Sequence, residues 1–225
     1  PVILPWFLDE GFGGGAPGSL LTALWYGGQD STPIEATRYH NRVDFMEILK
    51  RVAKAKEKKL DDVLLDLAVT RAFLGEREDG QHLPETAHWG RFGRPRFDAS
   101  WTYESLPRRV AFSPLSPTGS TYVWIDLQKT RPLPRLALRA EWESPVMMRW
   151  SLVRVGLRGE EVSRLDVTSE KGVYRVEREI FQLEKLSGLL IVGVNMGEVG
   201  ALHPFRVEEA PYEPHGGTVY VVADP

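Results

Sequence analysis

Hydrophobic residues recur at helical spacing in the first third of the chain. The first series predicts a helix over 42–58; its apolar positions are Val43, Met46, Leu49 and Val52 or Ala53, and charged residues lie between them. The second series predicts a helix that begins after Leu60, where Asp61 or Asp62 can cap the first turn, and that stops at Gly75. Together the two series predict a helical hairpin.

The segments before this hairpin are rich in residues that interrupt helices. Pro1 and Pro5 lie in the apolar run 1–8, and they predict an extended approach to the next element rather than the start of a helix. Residues 11–33 contain seven glycines and two prolines. This composition predicts a loop with at most short helical turns.

After Pro117 the hydrophobic residues occur at every second position. In segment 121–127, Val123, Ile125 and Leu127 mark one face of a strand. Similar segments separated by turn residues predict six further strands, over 135–143, 146–155, 161–167, 173–181, 188–195 and 218–223. The penultimate strand is apolar on both faces, which is typical of a central strand covered on both sides.

These patterns predict an α+β protein, in which a small helical N-terminal region precedes an antiparallel β-sandwich of about seven strands. The predicted division is a helical region over 1–95, a connector over 96–117 and the sandwich over 118–225. The stretch 75–117 is expected to be irregular but packed, because it contains large aromatic side chains at Trp89, Phe92, Phe97, Trp101 and Tyr103.

Composition narrows the classes of function. The formal net charge of -3 and the isoelectric point near 6.0 give no broad basic surface, so nucleic acid is not an expected partner. No stretch of eighteen apolar residues occurs, so no membrane span is predicted. The chain has no cysteine, which excludes disulfides and thiolate chemistry within it and leaves the cellular compartment open.

The segment Pro5-Trp6-Phe7-Leu8-Asp9-Glu10-Gly11-Phe12 resembles the third-ligand segment of gluzincin zinc metallopeptidases. In that family a glutamate directly before a glycine completes a zinc site begun by the two histidines of an H-E-x-x-H helix. The resemblance implies that Glu10 is a zinc ligand. A catalytic zinc takes three protein ligands and a water, and a glutamate can be the third ligand. The alternative is that the Asp-Glu pair belongs to a solvated turn.

Segments 67–75, 106–109 and 117–122 also resemble bacterial, myxobacterial-type proteins of the metallopeptidase class. H-E-x-x-H is absent, so the resemblance implies the C-terminal part of such a protein, inactive alone and completed by an upstream part. Pro1 is not an initiator methionine, and we expect a fragment of a longer chain. A complete parent would hydrolyse peptide bonds in protein or peptide substrates, and it would be exported or bound to the cell envelope.

A different class of function is a non-enzymatic β-sandwich module that binds a glycan or protein partner. Tyr122 and Trp124 lie on the strand face opposite Val123, next to Asp126, where aromatic rings can stack on sugars. The competing interpretation, which we favour, is that these two rings are buried against connector aromatics such as Trp101 or Phe97.

Three other patterns favour structural interpretations. His82, Glu85 and His88 could bind a metal, but Pro84 prevents the helical presentation that zincins use, and a solvated loop is predicted. The basic run over 50–59 indicates a solvated helix face rather than a surface for an anionic partner. The glycine-rich segment 11–15 lacks the Gly-Lys-Ser/Thr ending of a phosphate-binding loop, so nucleotide binding is not expected. His40, His203 and His215 are isolated in the sequence, and G-x-S-x-G is absent, so a serine hydrolase is not expected.

Overall fold

The computed structural model describes most of the chain, and every structural statement below concerns these residues: 3–12, 16–27, 33–35, 38–39, 45–127, 135–144, 146–170, 172–198 and 214–224. The chain divides into two units, Pro1–Leu67 and Ala68–Pro225. This division lies earlier in the sequence than the predicted boundary at residue 95.

The first unit is mainly helical. Its elements are α1 (Ile3–Phe12), α2 (Ser19–Gly27), the short strands β1 (Pro33–Glu35) and β2 (Arg38–Tyr39), α3 (Phe45–Ala55) and the start of α4 (Leu60–Ala72). Its core is formed by apolar side chains of these helices, including Leu8, Leu24 and Leu49. None of the helices in the described ranges is both long and apolar enough to cross a bilayer.

Two predictions for the N-terminal segments are wrong. Residues 3–12 form a helix instead of an extended approach. Pro5 is the third residue of α1, where the missing N–H would have had no intrahelical partner, so this proline is compatible with the first turn. Within the predicted loop over 11–33, α2 forms because Leu20 and Leu24, spaced by four, are buried on one helical face.

Both predicted helices are present, with a change in the first. α3 ends at Ala55 rather than at 58, because Glu57 adopts a left-handed backbone conformation with φ of 58°. The Lys58 amide then donates to the Ala53 carbonyl oxygen at 2.9 Å, the backbone bond of a Schellman ending. Residues 42–44 lie outside the described residues.

The second unit is a β-sandwich. In spatial order, its five-stranded sheet consists of β3 (Ala99–Thr102), β5 (Ser120–Asp126), β10 (Leu186–Glu198), β7 (Val146–Gly156) and β8 (Glu161–Thr168). Its four-stranded sheet consists, in spatial order, of β4 (Arg108–Leu115), β11 (His215–Asp224), β6 (Arg135–Trp142) and β9 (Arg175–Phe181). All neighbouring strands are antiparallel except β3 and β5, which are parallel. The predicted α+β architecture is therefore confirmed.

The apolar strand β10 is the middle strand of the five-stranded sheet, as predicted. Leu189 and Ile191 pack into the core between the two sheets, while the next positions, Leu190 and Val192, are buried on the other face. Gly193 lies under Trp150, where a Cβ atom would come within 2.6 Å of the indole ring. Close packing on both faces explains why this strand is apolar throughout.

The stretch 75–117, which ends with the connector, is more regular than predicted. It contains β3 and β4, and short 3-10 helices at Gly75–Arg77, Pro84–Trp89 and Tyr103–Ser105. The prediction missed β3 because four residues are too short to show alternation. It missed β4 because Pro114 lies inside the strand, which an edge strand tolerates.

Candidate functional site

The outer face of the five-stranded sheet carries the candidate site. Phe97 of the connector stacks on Tyr122 and Trp124 of β5, with ring centroids 6.4 and 6.3 Å apart. The Tyr122 hydroxyl donates to the Ala68 carbonyl oxygen at 3.0 Å, and burial is the main cause that raises the pKa of Tyr122. The interpretation that these rings pack against Phe97 is therefore confirmed, with Tyr122 buried and Trp124 half-buried.

Beside these rings, the connector and the sheet enclose a groove of about 930 Å³, here called the arginine groove. Strand residues Ser100, Trp124, Leu190 and Val155 contribute to its sheet side. Its charged lining consists of five arginines and two glutamates: Arg77, Arg91, Arg94, Arg96, Arg158, Glu76 and Glu78. The lining has a formal excess of three positive charges, although the whole chain is acidic. Such a local excess favours an anionic ligand.

Arg77 is the most constrained of these arginines. Its guanidinium carbon lies 3.8 Å from the ring centroid of Phe97, a cation–π contact. Its Nη1 is buried and has no hydrogen-bond partner in the described part of the chain. Burial and the neighbouring charge of Arg94 lower the pKa of Arg77 to about 10, although Glu76 acts in the opposite direction. A cation in this position gains from an anion that binds nearby.

The other arginines differ in their pairing. Arg94 lies 3.3 Å from a carboxylate oxygen of Glu76, whose side chain is 58% exposed. Arg158 lies 3.5 Å from Glu160 at the rim. Arg91 and Arg96 are exposed, and neither has an ion-pair partner among the residues that the structure describes. The groove thus contains cationic groups whose charge is not fully balanced by the protein.

The aromatic rings of the groove already have packing partners. Phe73 stacks on His82 with centroids 4.4 Å apart and an interplanar angle of 3°. Phe97 lies between the guanidinium of Arg77 and the rings of β5. The Trp124 ring packs on Gly188, where a Cβ atom would come within 2.1 Å of it. These rings therefore stabilise the groove rather than present an open stacking platform.

A buried ionic cluster lies beside the groove. His82 Nδ1 lies 2.9 Å from Asp79 Oδ1, and His82 Nε2 lies 3.1 Å from Glu161 Oε2. The Asp79 carboxylate is fully buried and accepts backbone N–H bonds from Gln81 and Glu161. Burial alone would lower the pKa of His82, but the two carboxylates outweigh it and raise this pKa to about 9. The cluster joins the loop after Arg77 to strand β8.

The prediction of a solvated loop over 82–88 is wrong for His82, whose side chain is only 12% exposed. Pro84 begins a 3-10 helix, and this turn separates His82 from the exposed His88. Both ring nitrogens of His82 already have carboxylate partners. The histidine pair is thus not brought together.

Glu10 is exposed on α1, and the adjacent Asp9 accepts a hydrogen bond from the Gly18 amide at 2.6 Å. Residues 5–12, which carry the resemblance to gluzincins, thus lie within helix α1. Within the described ranges, no group of three histidine, cysteine or acidic side chains is arranged to hold a metal ion. Glu10 as a zinc ligand stays a prediction.

The remaining candidates have structural environments or cannot be described. The lysines and arginine of α3, Lys50, Arg51 and Lys54, are exposed, as expected for a solvated helix face. His215 lies 3.3 Å from Glu143 on the sandwich. His40, His203 and glycines 13–15 lie outside the described residues.

The arginine groove was not predicted. Its only sequence signal is the density of arginines at 91, 94 and 96, inside the stretch that was interpreted as an irregular connector. Arg77 and Arg158 join them only because the connector folds over the sheet.

No family model matches the chain, and no curated protein matches it. Among solved structures, the chain is similar to the pre-peptidase C-terminal domain of a collagenase from Bacillus anthracis, with 8% identity, 57% of this chain and 98% of that chain covered, and a TM-score of 0.37. It is also similar to CorA, a surface-associated copper-binding protein of Methylomicrobium album BG8, with 8% identity, 57% and 98% covered, and a TM-score of 0.38. A third is the CBM22-1 xylan-binding domain from Paenibacillus barcinonensis Xyn10C, with 9% identity, 45% and 64% covered, and a TM-score of 0.24. At these values the likenesses identify neither a ligand nor an activity for this chain.

Proposed function

We propose that this chain is a non-enzymatic module that binds a partner molecule in the arginine groove of its β-sandwich unit. The observation that carries the proposal is the concentration of five arginines in one groove of an otherwise acidic chain. Folding buries Arg77 and brings it close to Arg94, and burial first and the charge of Arg94 second lower the pKa of Arg77. An anionic ligand would offset this lowering. Export or attachment to the cell envelope is part of this proposal.

Binding fits the groove better than catalysis does. The described lining residues include no histidine or cysteine, and the two glutamates that line it lie among arginines. The lining residues provide complementary charge and apolar contact, and they do not form a nucleophile held by a general base. The groove therefore supports recognition of a ligand.

Ligands are first found by screening the wild-type protein on peptide and glycan arrays. The proposal predicts that the double variant Arg77→Gln/Arg94→Gln no longer binds them tightly. We expect binding to weaken by at least about tenfold, because removal of buried or half-buried charged partners costs on this scale. Binding is measured by biolayer interferometry with the array ligands. A matched control is Arg139→Gln/Arg178→Gln on the four-stranded sheet, which removes the same charge from another surface. Equal losses in both variants, or binding that survives in the groove variant, would contradict the proposal.

A second proposal concerns Glu10, since α1 presents its side chain to solvent on a helix. In a longer parent protein Glu10 would be the third ligand of a zinc ion that activates water for peptide hydrolysis. The described residues alone do not fit this site, because they supply one carboxylate where three ligands are needed. The histidines would have to come from the upstream part.

Metal analysis of a longer natural protein tests this second proposal. We expect one zinc per chain by atomic emission, lost on Glu10→Ala and retained on Glu85→Ala, an exposed carboxylate in the second unit. The reason is that loss of one of three protein ligands removes much of the site's affinity. Zinc that persists in Glu10→Ala, or a metal-free parent, would refute it.

A further inference from the structure

We infer that the ligand of the arginine groove is an acidic segment of a partner protein, one that combines carboxylate side chains with aliphatic ones. This inference rests on the proposed binding function and specifies the chemical class of the partner. Three features of the groove carry it: the geometry of its cations, the coverage of its aromatic rings and the presence of aliphatic surface beside the charges.

The cations of the groove are guanidinium groups, with no lysine among the described lining residues. A guanidinium is a planar fork that matches a carboxylate through two parallel hydrogen bonds, whereas an ammonium acts as a point charge. Arg77 lines the groove and is held in place by its contact with Phe97. A fixed arginine loses less conformational freedom when it binds, so it suits the anchoring of a carboxylate.

Arg94 adds a position where a ligand can replace an internal partner. Its side chain is 13% exposed, while that of its partner Glu76 is 58% exposed. A largely exposed carboxylate contributes little to the stability of such a pair. A carboxylate of the ligand can therefore take the place of Glu76 at small cost. Glu76 acts as a weak internal competitor for an acidic ligand.

The aromatic rings argue against a glycan. Sugars are usually held by an open aromatic face, but Phe73 stacks on His82, Phe97 on Arg77, and Trp124 covers Gly188. Aliphatic surface is available instead at Leu157, which is 67% exposed at the rim, next to the buried lining residues Val155 and Leu190. A peptide with aliphatic and acidic residues uses both surfaces, whereas a uronic acid polymer uses only the charges.

The test uses the full chain and a synthetic twelve-residue peptide of alternating glutamate and leucine pairs, with binding measured by isothermal titration calorimetry. The comparison probes are the same peptide with glutamine for glutamate, polygalacturonate, and inorganic phosphate. We expect the acidic peptide to bind, and its affinity to fall steeply with salt. We expect at least about tenfold weaker binding for the glutamine peptide and for Arg77→Gln, with Arg77→Lys between wild type and Arg77→Gln.

Glu76→Gln provides a variant with the opposite expected effect. Removal of the internal competitor should tighten binding of the acidic peptide by up to about fivefold, because the expected change equals the worth of a mostly exposed ion pair. A variant that merely disturbs the fold would weaken binding instead. Circular dichroism of each variant checks that the sandwich is intact.

The outcomes separate the inference from the proposed function. Polygalacturonate or phosphate that binds in an Arg77-dependent way, without binding of the acidic peptide, overturns the inference and leaves the binding function standing. A glutamine peptide that binds as tightly as the acidic one also overturns the inference. If no probe binds and the array ligands are insensitive to the groove arginines, both proposals fail.

Discussion

His82→Leu is expected to lower the free energy of unfolding by about 3 kcal/mol or more, as found when one partner of a buried ion pair is removed. The reason is that Asp79 has a fully buried side chain, and its carboxylate would lose its cationic partner. The stacking contact between Phe73 and His82 would be lost as well. Urea unfolding at about pH 6 measures the change, since His82 is then protonated in the native protein.

The same cluster makes stability depend on pH. The folded pKa of His82, about 9, lies above its unfolded value of 6.5, so this histidine contributes its full stabilisation below pH 6.5. That stabilisation, about 3 kcal/mol, is lost as pH rises through 9. The contribution of Asp79 changes with pH in the opposite direction. Burial raises the pKa of Asp79, but hydrogen bonds from His82 and from the backbone outweigh this effect and hold the pKa below 3.8. Its contribution is present above pH 3.8 and is lost as the pH falls.

The control is His88→Leu, which removes an exposed histidine from the same segment. We expect this variant to keep both the stability and the alkaline decline of the wild type. His82→Leu should instead show a flat profile between pH 6.5 and pH 9. An alkaline decline of equal size in His82→Leu would show that other groups cause it, and would refute the assignment to His82.

The strands could be predicted because their signal is local. β5 alternates core residues such as Val123 with residues that face the connector, and a two-residue period identifies such a strand without its partners. The helices α3 and α4 were found in the same way from apolar residues at spacings of three and four. α1 was missed because a proline is read as a helix breaker until its position in the first turn is known.

The site could not be predicted because its members are distant in sequence. In the sequence, Arg77 and Arg158 are separated by five of the nine described sandwich strands, and nothing in their spacing indicates that they line one groove. The same holds for His82, whose partner Glu161 comes from strand β8. In the sequence, His82 groups with Glu85 and His88, whereas its partners in the structure are Asp79, three residues before it, and Glu161. The spacing of charged residues along a sequence is not periodic, so it does not indicate which distant charged residues will meet in the folded protein.

Gly75→Ala is expected to lower the free energy of unfolding by about 3 kcal/mol or more. Gly75 begins the 3-10 helix that follows α4 and has φ of 63°, a left-handed conformation that costs an alanine about 1 kcal/mol. In addition, a Cβ atom at this position would lie 2.0 Å from the carbonyl oxygen of Gly90. That oxygen accepts the Glu76 amide at 3.1 Å, so the clash separates two backbone segments that are hydrogen-bonded together. Overpacking against backbone accounts for the larger share of the effect.

Gly80→Ala is the matched control, because Gly80 has φ of 79° and open space where its Cβ atom would be. We expect only the conformational cost of about 1 kcal/mol there, and denaturant unfolding of both variants measures the difference. Arg77 lies two residues after Gly75, so the clash should also displace this arginine and weaken ligand binding. Gly80→Ala, on the far side of Arg77, should leave binding unchanged. If both alanine variants lose the same free energy of unfolding, the loss comes only from the left-handed backbone conformation. The close contact between Gly75 and the Gly90 carbonyl oxygen would then not fix the backbone that carries Arg77.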